Sequence, residues 1–164
     1  MGLIIKDKIQ QLMTGYPTVS DKYDVLPAVL DGSNPVGFGD VVVLSSTAGY
    51  VTKPTTITAA AQVAGFVVAT NVQLANEWPG STVTCKPGEA LNLLLKGFMA
   101  VKLDSSVTIA DVVPNAAVYV TATGTITGSS TASAIKLDGV VFTGLYENHG
   151  TTASPVYVAE IYVK

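Results

Sequence analysis

Apolar and polar residues along most of the chain alternate with a period of two, which is the period of a β-strand. The segments 117–122 and 156–163 show this alternation most clearly. Valine, threonine and tyrosine are common in such segments, and these residues suit a pleated, half-buried surface. The pattern predicts strands over 25–30, 40–45, 63–70, 81–85, 91–96, 98–103, 117–122, 139–143 and 156–163.

Turn-forming residues separate these strands. Glycine, proline and asparagine cluster at 31–35, 78–80, 86–88, 114–115 and 148–150. Many short strands punctuated in this way indicate an all-β fold, either a small β-barrel or a jelly-roll-like sandwich. We therefore expect one β domain over 25–164, preceded by an N-terminal arm over 1–24.

Residues 1–16 are the one segment with a helical period. An apolar stripe formed by Ile5, Ile9, Leu12, Met13 and Tyr16 predicts a short N-terminal helix, which Gly15 and Pro17 would end. A helix of about ten residues is marginal in water, so its stripe must be buried against something. Two docking surfaces stay open for this stripe: the rest of its own domain and a partner chain.

Two segments fit no strand pattern. Residues 52–62 and 123–134 are long and rich in threonine, serine and other small residues. We expect them to be either mobile loops or contact surfaces for a partner.

The composition excludes several classes of protein. Apolar residues make up 48% and charged residues 13%, which is incompatible with a disordered chain. The net charge is −3 and all nine basic residues are lysine, which argues against a nucleic-acid partner. No run of 18 apolar residues exists, so we expect no membrane-spanning helix. The first residues do not match a secretory signal, and we expect synthesis in a cytoplasm.

The reactive side chains do not form a recognisable catalytic set. His149, the sole histidine, lies in a predicted turn, and Cys85 is the sole cysteine. The Gly37–Gly39 turn leads into a strand, whereas a phosphate-binding loop leads into a helix. Asp31 begins a turn that fits an Asx turn better than a calcium site. We expect no catalysis, no metal and no cofactor.

Several blocks, in their order along the chain, resemble the structural cement proteins of tailed phages, which decorate capsids. The resemblance runs from about residue 25 to 164 and rests on the segments 25–31, 34–35, 38–43, 95–101, 117–120, 142–144 and 159–161. The family often has arginine where this chain has Lys96, so a bidentate contact there would be lost. The start at 1–16 has no counterpart in the resemblance.

The resemblance implies a small β-barrel or jelly-roll-like protein of the virion. It would bind the outer surface of the capsid and clamp neighbouring subunits of the major capsid protein. It also implies a homo-oligomer, with a trimer favoured and a dimer as the alternative. Two other classes stay open: a tail- or fibre-associated carbohydrate-binding module that stacks sugars on Trp78 and the tyrosines, and a β-barrel hydrolase using Asp21, Asp24 or Asp31.

The residues expected to contact the capsid or another copy fall in two groups. The first is the apolar stripe of the arm. The second is the segment around Pro27 and Asn34–Pro35, where proline restricts the backbone before docking. The candidates are Ile5, Ile9, Leu12, Met13, Pro27, Asn34 and Pro35. The loops 52–62 and 123–134 are the alternative contact surface.

Overall fold

The fold is all-β, as the alternating pattern predicts. In the computed structural model we describe residues 12–18, 23–69, 84–129 and 131–164. The strands are β1 (Asp24–Leu30), β2 (Val36–Gly37), β3 (Val41–Leu44), β4 (Tyr50–Thr52), β5 (Val63–Val68), β6 (Thr84–Cys85), β7 (Ala90–Lys102), β8 (Ala117–Val120), β9 (Ile126–Thr127), β10 (Ile135–Asn148) and β11 (Tyr157–Val163). Short 3₁₀ turns lie at Ala60–Gln62 and Ile109–Asp111.

The first half of the chain closes into a barrel. Strand β1 pairs with β4, β4 with β3, β3 with β5 and β5 with β7, and β7 pairs back with β1. Closure removes the free edges that an open sheet would have. The barrel core consists of the buried residues Ala28, Leu30, Val36, Val42, Val51, Val67, Cys85, Leu91 and Leu93.

The second half of the chain forms a sheet in the order β7, β11, β10, β8 and β9. Strand β7 belongs to both halves, and the predicted strands 91–96 and 98–103 are this one strand. Gly97 lies between the two parts with φ 125°, a conformation that favours glycine. A strand that changes sheets in this way turns a corner of a sandwich.

A second core fills the space between the barrel wall and this sheet. It includes Val41, Phe66 and Leu94 from the wall and Met99, Val118, Phe142 and Ile161 from the sheet. In β3, Val41 faces this inter-sheet core and Val42 faces the barrel core. Double-sided burial explains why β3 and β5 are continuous apolar runs and do not alternate.

Residues 12–18 lie along the edge of β7 that does not pair with β11, and Pro17 there forms an antiparallel bridge with Met99. The Gly15 amide donates to the Ala100 carbonyl at 2.7 Å, and the Ala69 amide donates to the Gly15 carbonyl at 2.8 Å. Of the helix predicted over 1–16, residues 1–11 lie outside the described residues. Residues 12–16 form a turn, in which the Tyr16 amide donates to the Met13 carbonyl at 3.0 Å.

The two threonine-rich segments pack on the protein itself. The Ile57 amide donates to the Ala122 carbonyl at 2.7 Å, and the Ile57 side chain is buried. Strand β9 lies inside the second segment, with Ile126 and Thr127 both buried. Neither segment is a simple surface loop, because each contributes side chains to the core.

Candidate functional site

Three exposed leucines lie at one end of the barrel. Strand β3 is parallel to β7, and β1 is antiparallel to β7. The end of β3 and the start of β1 therefore lie at the same end of the barrel, where β7 leaves it. Leu44, Leu26 and Leu95 lie on these three strands and are 64%, 49% and 44% exposed. We call these three residues the leucine rim.

The leucine rim continues the inward-facing rows of the barrel. Side chains two residues apart on a strand share a face. Leu26 follows the row of Ala28 and Leu30, Leu95 follows the row of Leu91 and Leu93, and Leu44 follows Val42. The rim is therefore an outermost layer of the barrel interior that protein does not cover in the described structure.

Other exposed apolar side chains flank the rim. Tyr23 and Val25, at the start of β1, are 40% and 38% exposed. Tyr50, at the start of β4, is 39% exposed. Exposed apolar side chains that cluster at one end of a domain often mark sites of protein–protein contact.

The opposite end of the barrel is closed by the chain itself. Strand β2 follows the end of β1, strand β6 precedes β7, and the two pair with each other. Val36 and Cys85, which lie opposite each other in this ribbon, are both 0% exposed in the barrel core. Cys85 is thus a core residue of the barrel.

The predicted contact residues lie in separate places. Ile5 and Ile9 lie outside the described residues. Leu12 is buried against Ala100 and Val158, whereas Met13 is exposed. Pro27, on β1, is exposed, and Asn34 and Pro35 are exposed in the loop between β1 and β2.

The leucine rim is not among the contact residues predicted from the sequence. Leu26 and Leu95 lie in predicted strands and in blocks of the resemblance, and Leu44 lies in a predicted strand. A sequence signal exists, since each leucine continues an alternating apolar row. The signal cannot be interpreted without the pairings that close the barrel.

The polar candidates are engaged in local structure. Asp31 accepts hydrogen bonds from the Ser45 hydroxyl at 2.6 Å and the Gly32 amide at 2.7 Å, and these bonds lower the pKa of Asp31. His149 Nε2 lies 3.1 Å from Glu147 Oε2, which also accepts the Leu12 amide at 2.8 Å. Within the described ranges, no three acidic, histidine or cysteine residues cluster to hold a metal ion.

The aromatic candidates that the structure describes are half-buried or exposed. Burial raises the pKa of Tyr16, which is half-buried, whereas Tyr23 and Tyr50 are exposed. Trp78 and Asp21 lie outside the described residues. No helix in the part of the chain that the structure describes is long and apolar enough to cross a membrane.

Comparison with known proteins identifies the family. The model of the family described as structural cement protein (E217 gp24/Pam3 gp6) matches residues 7–163. This match begins upstream of residue 25, where the resemblance in the sequence starts. No curated protein matches the chain.

The fold also occurs in a solved phage capsid. The structure is similar to a chain in the structure titled the capsid of Myoviridae phage XM1, with 15% sequence identity and a TM-score of 0.57. The similarity covers 97% of this chain and 96% of that chain, so the two share the fold over their whole described length. The family match gives the protein a structural role as phage cement in the virion. The chain belongs to the family of phage structural cement proteins.

Proposed function

We propose that the protein binds the outer surface of the phage head and clamps neighbouring subunits of the major capsid protein through the leucine rim. The single observation that carries the proposal is the position of Leu26, Leu44 and Leu95, which are 44–64% exposed at one end of an otherwise packed barrel. A cement protein needs a surface whose burial by the shell lowers the free energy, and the burial of apolar side chains has this effect.

The binding free energy expected from burial of the rim fits a decoration protein. Burying a leucine fully contributes about 1.5–3 kcal/mol, so a half-exposed leucine contributes about 1 kcal/mol. Three such residues give a modest affinity per copy. Copies held in fixed geometry by one shell, or joined in one oligomer, turn modest contacts into stable attachment.

The remaining predicted contacts belong to the same proposal. Pro27 neighbours Leu26 on β1, so a shell that covers the rim also reaches this proline. Met13 and the loop at Asn34–Pro35 are exposed elsewhere on the protein and would serve a second contact. Ile5 and Ile9 would extend the contact from the arm. A clamp needs separate contacts of this kind, because it must touch two subunits.

We also propose that the protein works as a homo-oligomer, with a trimer favoured over a dimer, and without a nucleic-acid partner or catalytic activity. The low share of charged residues favours self-association, and the net charge of −3 disfavours binding to a polyanion. Light scattering of the purified protein measures the mass. A trimer is expected, and a monomer mass at all concentrations contradicts preassembly.

Co-sedimentation with undecorated heads tests the role of the rim. The double variant Leu44→Ser, Leu95→Ser should lose about 2 kcal/mol of binding free energy per copy, roughly thirtyfold in affinity. The matched control is Leu145→Ser, because Leu145 is 59% exposed on β10, away from the rim. Equal decoration by the double variant and the control contradicts the proposed role of the rim.

Deletion of residues 1–11 tests the arm separately. It leaves residues 12–18, which pack on β7, in place. Loss of decoration with an unchanged melting temperature assigns a capsid contact to the arm. Unchanged decoration removes Ile5 and Ile9 from the proposed contacts and leaves the rim as the principal one.

A further inference from the structure

A cleft of about 230 Å³ lies between the barrel and the second sheet. Its walls include Gly39–Val41 and Lys53–Pro54 from the barrel, Lys102 and Leu103 from the end of β7, and the turn at 123–126. Strand β3 begins and β4 ends at this side of the barrel, so the cleft is at the closed end, away from the leucine rim. Of the candidate contact residues that the structure describes, none lines the cleft, but its walls include parts of both alternative contact segments, 52–62 and 123–134.

Two lysines come from different walls of this cleft. Lys53 follows β4 and Lys102 ends β7, and both are exposed. Among the described residues, no carboxylate lies within ion-pair distance of either ammonium group, since the only such contact there joins His149 and Glu147. The Lys53 ammonium makes one long hydrogen bond, to the Pro35 carbonyl at 3.4 Å, and keeps other N–H groups for a ligand.

The one acidic residue in the lining is already engaged. Asp40 accepts the Gly37 amide through Oδ2 at 2.8 Å, within the turn that leads into β3. With two lysines and one aspartate, the lining keeps a net positive charge in a protein whose overall charge is negative. Thr125 adds a hydroxyl group that can donate to an anion, whereas the Thr123 hydroxyl already lies 3.1 Å from the Thr121 hydroxyl.

We propose that this cleft binds a side-chain carboxylate of an acidic peptide segment, with Lys53 and Lys102 as the binding residues. A compact anion fits a cleft of this volume, and two lysines on different walls can contact it from two sides. The acidic charge of the whole protein repels an extended polyanion such as nucleic acid, whereas a short acidic segment meets mainly the local positive charge.

The position of the cleft indicates where this segment comes from. The Pro35 carbonyl contacts Lys53, so the cleft adjoins the Asn34–Pro35 loop. If the proposed function holds, the leucine rim contacts one capsid subunit and the cleft takes an acidic segment of its neighbour. This assignment of the partner rests on the proposed function, but the binding chemistry of the cleft does not.

The test uses the isolated full-length protein and a short oligoglutamate peptide, with binding followed by NMR chemical-shift titration. Binding should perturb residues around Lys53, Lys102 and Thr125, and should weaken as salt is added. Lys53→Gln and Lys102→Gln should each weaken binding about two- to fivefold, as expected for exposed ion pairs. Lys53→Arg should bind like the original chain because it keeps the charge.

The matched control is Lys136→Gln, which removes the same charge from an exposed position on β10 outside the cleft. It should leave binding unchanged. Equal binding of an oligoglutamine peptide, or equal loss in the Lys136 variant, overturns the proposal. Tighter binding of oligothymidylate at the same residues would identify phosphate, and not carboxylate, as the preferred ligand, and this result also overturns the proposal. Because no capsid is present, failure here leaves the rim experiment unaffected.

Discussion

The two ends of the barrel differ although they share one core. At one end the β2–β6 ribbon covers the interior, and Val36 and Cys85 are fully buried. At the other end the interior stops at the leucine rim, where the same inward-facing rows are exposed. The chain thus covers one end of the barrel with its own segments and leaves the other end exposed. An apolar end of this kind is what a protein that must be covered by a shell requires.

The largest expected effect comes from comparing two leucines on the same strand and face. Leu93 is 1% exposed in the barrel core, and Leu95 lies two residues further along, in the rim. Leu93→Ala should lower the free energy of unfolding by about 2–5 kcal/mol, because it leaves a cavity. Leu95→Ala should cost less than about 1 kcal/mol, because solvent already reaches the site.

Urea denaturation of both variants measures this difference. Similar losses of stability in the two variants would mean that Leu95 is a core residue, and the distinction between barrel interior and rim would then be wrong. A small effect at both positions would mean that the barrel core tolerates the cavity by collapsing.

A smaller effect is expected at Gly15, which packs against Phe38 and Gly39 near the closed end of the barrel. Gly15 has φ 81°, and a Cβ there would overlap Phe38 Cβ and lie 2.7 Å from the Gly39 amide nitrogen. Gly15→Ala should therefore cost about 2–4 kcal/mol, from strain and from displacement of residues 12–18. Gly88→Ala is the control, because φ is 86° there but no atom lies within 4 Å of the added Cβ.

The control should cost only the strain of the left-handed conformation, about 1–2 kcal/mol. Thermal unfolding of both variants gives the comparison. If Gly15→Ala costs no more than Gly88→Ala, then residues 12–18 are not packed tightly on the turn beside β2.

The smallest effect concerns the carboxylate that ties the end of β1 to the loop after β3. The hydrogen bonds from Ser45 and Gly32 lower the pKa of Asp31 in the folded protein. A lowered folded-state pKa stabilises the fold above the unfolded-state pKa, and this stabilisation is lost as the pH falls through the folded-state pKa. Ser45→Ala should raise the pKa of Asp31 toward its ordinary value.

NMR titration of the aspartate carboxyl groups measures this shift. Asp104 is the internal reference, because its pKa is lowered by a different residue, Ser106, and should not move in the Ser45 variant. An unchanged pKa of Asp31 would show that Ser45 does not hold the carboxylate beside the hairpin that carries Leu44.

Much of the fold was predictable from the sequence. Strands β1, β3, β5, β7 and β11 lie within a few residues of their predicted positions, because long apolar runs bounded by glycine and proline are strong strand signals. The short strands β2, β4 and β9 were missed. Strands of two or three residues exist because neighbouring strands pair with them, and a local pattern does not encode that pairing.

Residues 12–16 show a tertiary contact that overrides a local preference. The spacing of Leu12, Met13 and Tyr16 predicts a helix, but the Gly15 amide donates to the Ala100 carbonyl and the Gly15 carbonyl accepts from the Ala69 amide. Those contacts favour a turn at this position, and helical propensity alone is too weak to compete with them. The candidate site was unpredictable for a related reason, since the leucine rim exists only once five strands close into a barrel.

The most direct test is a cryo-EM map of heads decorated with this protein, at a resolution that shows side chains. The account predicts that Leu26, Leu44 and Leu95 are covered by the major capsid protein, with the β2–β6 end identifiable at the opposite end of the barrel. A map in which the leucine rim faces solvent, and other surfaces make every contact with the shell, would contradict it.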